Sequence, residues 1–150
     1  MYETCAFTGH RNLNYPDYDP ELLDRVVLNL IKNGTKRFLC GMATGFDMNA
    51  AQCVIKYKKQ YGVKLIACIP CTEQAERFSA KDKALYGRII NECDEVEVLS
   101  DNYYDGCMLS RNRYMVDNCD VLVSFLRHRR GGTYYTVNYA QASDKKIIEI

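Results

Sequence analysis

The chain has almost no excess charge and no long apolar run, and each absence excludes a broad class of protein. Its 20 basic and 19 acidic residues leave a formal net charge of +1, which provides no global attraction to a nucleic-acid duplex or a membrane surface. No run approaches the ~20 apolar residues that a membrane-spanning helix needs. The first residues, MYETCAFTGH, lack the basic flank and apolar segment of an export signal. We therefore expect a cytoplasmic protein in which any anion site is local.

Linker-like and low-complexity segments are also missing. The 150 residues are 47% hydrophobic and 26% charged, which is typical of a globular chain and enough to build one core. We expect a single domain over residues 1–150.

Eight cysteines are present, but most lie inside apolar runs, which favours buried, reduced thiols over a disulfide framework. The pair Cys68 and Cys71 in CIPC could be a redox centre, or it could flank a turn proline, which is the favoured interpretation. The other cysteines do not provide the second close pair of a zinc site. We predict no metal.

Short apolar runs alternate with stretches of helical periodicity along the whole chain. The predicted strands are TCAFTG, RFLCGM, VKLIACIP, DEVEVLS and DVLVSFL, with KKIIEI as a possible sixth. The predicted helices run from about 19 to 33, 46 to 61, 72 (with Thr72 as the N-cap) to 93, 108 to 119 and 132 to 143. The pattern predicts an α/β fold: a three-layer, doubly wound (Rossmann-like), mainly parallel sheet of about six strands with helices on both faces.

In such a sheet, ligands bind at the carboxyl ends of the strands, near the point where the strand order reverses. The loops predicted there contain unusual residues. Gly41 and Gly45 in GMATGFD let the backbone approach a ligand, and the helix that follows directs N–H groups to the same point. The alternative is a tight turn in which Asp47 stabilises the first helical turn. TGHR after the first strand and RHRRGGT after the fifth are also compatible with an anion, although RHRRGGT could be a solvated basic loop.

Helical spacing places Arg111 near the inward face that contains Met108 and Met115. An inward arginine needs an anion, supplied either by a buried carboxylate or by a ligand phosphate. Tyr103 and Tyr104, in the preceding loop, could stack on a base or serve in ordinary packing.

The segments CAFTGHR, FLCGMATGFDMNAA, IPCTEQAERF, LSDNYYDGCMLSRNRYMVDNCDVLVSF and GGTYYTVNYA together resemble the YpsA-like branch of the SLOG superfamily. These Rossmann-like proteins are related to the DNA-processing protein DprA and to the LOG enzymes, and the resemblance covers essentially the full chain. It implies a pocket that binds a nucleotide or nucleotide-derived small molecule, such as an ADP-ribose-like compound or a signalling nucleotide, in a sensor or sequestering module. The alternatives are a nucleotide-processing hydrolase and a DprA-like binder of single-stranded DNA, and the near-neutral charge counts against nucleic acid. Similar proteins self-associate, so a homo-oligomer is expected.

The resemblance implies ligand-binding roles for the positions that match the family motifs: Thr8, Gly9, Arg11, Gly41, Ala43, Gly45, Arg111, Gly131, Gly132 and Thr133. Position in the loops after the first three strands and in the fourth helix adds seven further candidates: His10, Met42, Thr44, Asp47, Pro70, Gln74 and Asn112.

The chain departs from the LOG enzymes at one signature. Those enzymes are recognised by P-G-G-x-G-T-x-x-E, whereas the stretch here reads RRGGTYYT, with Thr136 in place of the glutamate. A neutral hydroxyl cannot replace a carboxylate that stabilises developing positive charge. We therefore predict no LOG-type catalytic residue, no cofactor besides the ligand, and binding without cleavage of the N-glycosidic bond.

Overall fold

The computed structural model describes residues 1–150 as strands and helices in strict alternation. The strands are β1 (Thr4–Gly9), β2 (Arg37–Cys40), β3 (Lys64–Ile69), β4 (Glu95–Val98), β5 (Val121–Phe125) and β6 (Lys146–Glu149). The helices are α1 (Pro20–Lys32), α2 (Phe46–Tyr61), α3 (Ala80–Glu92), α4 (Cys107–Asp117) and α5 (Gly131–Ala142). The predicted alternation is confirmed, including the sixth strand. None of the helices is long and apolar enough to cross a membrane.

All neighbouring strands pair in parallel, in the order β4-β3-β2-β1-β5-β6. The chain builds outward from β1 to β4 and then returns to the other side of β1 with β5. The strand order therefore reverses between β1 and β5, whose carboxyl ends carry Gly9 and Phe125 in register. In a doubly wound sheet this crevice is where ligands bind.

Alternating side chains along the strands form two cores, one on each face of the sheet. Phe7 and Phe38 point to the face covered by α1, α2 and α3, where they join the larger cluster. Ala6 and Leu39 point to the other face and pack with Met115 of α4 and neighbouring residues of α5. Because both faces are covered, the central strands are buried and the three-layer architecture is confirmed.

The third helix begins later than predicted. Ser79, not Thr72, is its N-cap, and the Ser79 hydroxyl accepts the Asp82 N–H at 3.1 Å. The Thr72 hydroxyl instead donates to the Asp101 carbonyl, and residues 72–78 form turns. Serine and threonine are both favourable N-cap residues, so the local sequence does not distinguish Thr72 from Ser79. The hydrogen bond of the Thr72 hydroxyl to Asp101 engages it elsewhere, and the helix begins after Ser79.

Strand β4 also differs from the expectation that the strands have no solvated face. All four of its residues are exposed, and Val96 and Val98 keep 43% and 45% of their surface. The strand is the outermost of the sheet on that side, which removes the neighbour that buries a central strand. The eight cysteines are all unpaired, in agreement with the predicted reduced thiols.

Candidate functional site

A cavity of about 340 Å³ opens at the carboxyl ends of β1 and β5, where the strand order reverses. Four segments of the chain build it: the end of β1 with the loop that follows, the loop that leads into α2, the first turns of α4, and the loop from β5 into α5. The predicted site residues that line it are Thr8, Gly9, His10, Arg11, Ala43, Asp47, Arg111, Asn112, Gly131, Gly132 and Thr133. Loops that are far apart in sequence thus meet at one point, as the sheet topology predicts.

Asp47 contributes a buried carboxylate to this cavity. Only 5% of the residue is exposed, and its Oδ2 accepts the Ala43 N–H at 3.2 Å, while its Oδ1 has no hydrogen-bond partner. Burial raises the pKa of Asp47 to about 6, against the lowering effects of the nearby Arg111 charge and the Ala43 N–H. A buried acceptor without a partner is costly. Ligand hydroxyl groups that donate to Oδ1 would remove that cost.

We expect Asp47→Asn to become more stable relative to wild type as the pH rises. The folded pKa of Asp47 lies above the usual 3.8, so the protonated carboxyl favours the folded state. This contribution to the free energy of unfolding is complete at acidic pH and is lost as the pH rises through about 6. The variant should therefore gain about 2–3 kcal/mol relative to wild type between pH 4 and pH 8, from a shift of about two pKa units. Urea unfolding at both pH values measures it.

A matched control for this measurement is Asp105→Asn, which neutralises an exposed aspartate. It measures how the loss of one exposed negative charge alone changes stability over the same pH range. A pH dependence of Asp47→Asn no larger than that of Asp105→Asn would show that Asp47 has no unusual ionisation in the folded protein.

Arg111, on the first turns of α4, is the buried cation of the site. It is 3% exposed, and its guanidinium donates to the carbonyls of Gly41 and Cys68, the latter at 3.3 Å, and to the Asn112 side chain at 2.8 Å. Neither Arg111 nor Asp47 takes part in an ion pair, although each charge favours the ionised form of the other. Arg111 therefore joins the loop after β2 to the end of strand β3 and places positive charge beside the cavity.

The glycine at position 41 is explained by this contact. A Cβ on Gly41 would lie 2.8 Å from the Arg111 guanidinium, and the Gly41 carbonyl also accepts the Gln74 amide at 2.8 Å. Gly41 and Gln74 hold Arg111 in place and do not line the cavity. Met42, Thr44, Gly45 and Pro70 do not line it either.

The start of α5 offers backbone donors without a side-chain cap to the cavity. The N-cap Arg130 gives no side-chain cap, and Gly131, with a φ of +86°, and Gly132 and Thr133 line the cavity. Uncapped N–H groups at a helix N-terminus suit an anion such as phosphate. Helix α2 also begins without a side-chain cap, and its Phe46 N–H donates to the His10 carbonyl at 3.2 Å.

Two histidines stack at one side of the cavity. The rings of His10 and His128 lie 4.0 Å apart at 11°, and His10 Nε2 accepts the Arg127 N–H at 2.8 Å. Burial, together with nearby His128 and Arg127, lowers the pKa of His10, so its ring stays neutral and fastens the β5 loop to the β1 loop. His128 Nδ1 is buried and has no partner, which leaves it available to a ligand.

Several lining residues were not among the predicted site residues: Phe7, Asn12, Tyr15, Met108, Leu109, His128 and Arg130. His128 and Arg130 lie within RHRRGGT, which the sequence had indicated as a whole, and Asn12 directly follows TGHR. No sequence motif indicated Tyr15 as a site residue, because its position depends on how the chain folds back after β1. In the structure its ring centroid lies 5.9 Å from that of His10.

Solved structures share this fold. The chain superposes on DNA processing protein A (DprA) from Streptococcus pneumoniae with a TM-score of 0.71 and 19% identity, covering 99% of this chain and 50% of that one. DprA from Helicobacter pylori gives a TM-score of 0.71 and 20% identity, over 97% of this chain and 64% of that one. The chain thus spans about half to two thirds of the DprA chains.

Sequence comparisons give nearer relatives. The SPbeta prophage-derived protein YoqJ of Bacillus subtilis is 34% identical over 125 residues, which cover 75% of this chain and 73% of YoqJ. A UPF0398 protein of Halalkalibacterium halodurans is 26% identical over 137 residues, or 89% and 71% of the two chains. The loops of this chain converge at the point where the strand order reverses. The YspA SLOG family profile matches residues 6–149. The chain therefore belongs to the YspA SLOG family and is a YpsA-like member of the SLOG superfamily.

Proposed function

We propose that this protein binds a nucleotide or nucleotide-derived small molecule in the cavity between β1 and β5, as a sensor or sequestering module. The observation that carries the proposal is the pairing, in one cavity, of the unpartnered Asp47 Oδ1 with the uncapped N-terminus of α5. A carboxylate oxygen accepts from sugar hydroxyls, and free N–H groups bind phosphate. A nucleotide carries both groups in one molecule.

The charges around the cavity support an anionic ligand. Arg11 and Arg130 line it, and neither takes part in an ion pair with a carboxylate. Arg127 next to them is different, because it is paired with Asp17 at 3.0 Å. Two cations without carboxylate partners beside an uncapped helix start provide local attraction that the net charge of +1 does not reveal.

Binding without hydrolysis fits the residue at the position of the LOG glutamate. Thr136 is 1% exposed, and its hydroxyl donates to the Gly132 carbonyl at 2.7 Å within α5. Thr136 is also absent from the cavity lining. Asp47 is the carboxylate that does line it, and we assign it to ligand binding. The proposed site binds this ligand alone, without an additional cofactor.

Single-stranded DNA is a second candidate ligand. The whole chain shares its fold with DprA, and the structure of the Helicobacter pylori protein concerns its single-stranded DNA binding mode. The expectation that nucleic acid is excluded rested on net charge alone, and a local cationic cavity that accepts one phosphate would also accept the end of a strand. Self-association likewise stays a prediction, and light scattering at micromolar concentration tests it.

A thermal-shift panel tests the two candidates. A nucleotide that binds only the folded state should stabilise it by about 2.7 kcal/mol at 100 times its Kd, which corresponds to roughly 5–10 °C for a domain of this size. The panel comprises AMP, ADP, ADP-ribose, NAD and oligothymidylate, with inorganic phosphate as the control. A shift with oligothymidylate alone would favour the DNA candidate. No shift with any compound would refute the assignment of this cavity as the ligand site.

A further inference from the structure

A second cavity, of about 470 Å³, adjoins the first on the side of β3 and β4. We call it the side cavity; the loop after β3 and the loop before α4 build it. Arg11 and Met108 line both cavities, and Arg11 Nη2 contacts the Met108 sulfur at 3.6 Å. These two side chains therefore stand at the boundary between the cavities.

Two aromatic side chains, Phe78 and Tyr103, line the side cavity together with the charged residues Glu73, Glu76 and Arg77. The Phe78 ring is supported by Tyr86, whose ring centroid lies 5.8 Å away in an edge-to-face arrangement. Tyr103 is 57% exposed, while its backbone N–H donates to Glu73 at 3.1 Å, which holds its loop against the cavity. An exposed aromatic ring with a fixed backbone is suited to stacking on a flat ligand ring.

The buried polar group of the side cavity is already satisfied. Gln74 is 7% exposed; its amide donates to the Gly41 carbonyl at 2.8 Å, and its side-chain oxygen accepts from the Tyr86 hydroxyl at 3.1 Å. The side cavity therefore lacks the buried, unpartnered carboxylate oxygen that Asp47 brings to the main cavity. The side cavity therefore suits a flat ring, whereas the main cavity suits a sugar phosphate.

Arg11 connects the two compartments electrostatically. It is exposed and has no carboxylate partner. A guanidinium can donate two parallel hydrogen bonds to phosphate oxygens. A phosphate at Arg11 would lie between the ligand groups in the two cavities.

We propose that the ligand is bipartite: a ribose fills the main cavity, the diphosphate attached to it extends past Arg11, and a nucleobase occupies the side cavity against Tyr103 and Phe78. This inference rests on the proposed function and names its ligand class, a nucleoside diphosphate that carries a second sugar. The main cavity, at about 340 Å³, is near the lower limit of the ~300–1,000 Å³ of most ligand sites, and the side cavity provides the remaining room.

The test compares ribose 5-phosphate, AMP and ADP-ribose by calorimetry on wild type, Tyr103→Ala and Tyr104→Ala. Tyr104 is the matched control, since it is the adjacent tyrosine, 48% exposed, and does not line either cavity. ADP-ribose should bind wild type at least about tenfold more tightly than ribose 5-phosphate, and Tyr103→Ala should remove about tenfold, the effect of one lost base–aromatic stack. Ribose 5-phosphate affinity should be unchanged by either substitution.

The outcomes separate this inference from the proposed function. Equal affinities for ribose 5-phosphate and ADP-ribose, or equal effects of Tyr103→Ala and Tyr104→Ala on ADP-ribose, would overturn the bipartite ligand and leave the main site intact. Tighter binding of a thymidine dinucleotide than of ADP-ribose, with the same dependence on Tyr103, would overturn it in favour of a DNA strand. If none of the three compounds binds wild type, the proposed function fails first.

Discussion

Gly45→Ala should destabilise the protein by more than about 3 kcal/mol, because the substitution combines backbone strain with a steric overlap. Gly45 precedes α2 with a φ of +82° and a ψ of −119°, a conformation that residues with a Cβ rarely adopt. A Cβ at this position would also overlap with the backbone carbonyl of Arg11. Backbone atoms cannot rotate away as a side chain can, so the loop that carries Arg11 must move. Urea unfolding of the two proteins measures the loss.

Gly62→Ala separates the two causes. Gly62 ends α2 with a φ of +70°, but a Cβ there would have no atom within 4 Å. It should therefore cost only the strain of a left-handed residue, about 1–2 kcal/mol. If Gly45→Ala and Gly62→Ala are equally stable, the loop that carries Arg11 moves without a cost in the free energy of unfolding. The contact between the loops after β1 and β2 then does not define the cavity.

Arg111→Ala should lower the free energy of unfolding by about 3–5 kcal/mol, because it removes hydrogen bonds to buried acceptors and leaves unfilled volume in the interior. The Cys68 carbonyl would lose its Arg111 donor, and Asp47 would lose the positive charge that opposes the effect of its burial. The pKa of Asp47 should rise further as a consequence, so the variant should recover part of its stability at acidic pH. Chemical unfolding at pH 5 and pH 8 tests both effects.

Arg113→Ala is the control on the same helix. The Arg113 guanidinium donates to the hydroxyls of Tyr135 and Ser110, at 2.8 and 3.0 Å, and its removal should cost much less stability than that of Arg111, because solvent screens the interactions of an exposed cation. If Arg111→Ala were as stable as Arg113→Ala yet lost ADP-ribose binding, Arg111 would act on the ligand directly and not by holding the loops. Ligand binding by Arg111→Lys adds a second comparison, since lysine keeps the charge but not the fork of donors.

These two predictions concern the part of the site that the sequence indicated but did not explain. The motif GMATGFD directed attention to the start of α2 as a phosphate site. In the structure, this loop provides Ala43 and Asp47 to the cavity and uses Gly41 to admit the Arg111 guanidinium. The uncapped start of α5 also lines the cavity, through Gly131, Gly132 and Thr133. Local sequence identifies a glycine-rich turn before a helix, but it does not show which atoms approach the glycines from elsewhere in the chain.

The sequence by itself determined the order of strands and helices, the parallel sheet, and the loops that carry the site. These features follow from local periodicity and from the rule that parallel strands place their carboxyl ends on one edge, and neither depends on detailed packing. The tertiary structure alone decided the roles within the site. The unpartnered oxygen of Asp47, the neutral ring of His10 and the burial of Arg111 all depend on which groups from distant segments come within hydrogen-bonding distance. The start of α3 depended in the same way on a contact between Thr72 and the carbonyl of Asp101, because burial and pairing are properties of neighbours in space.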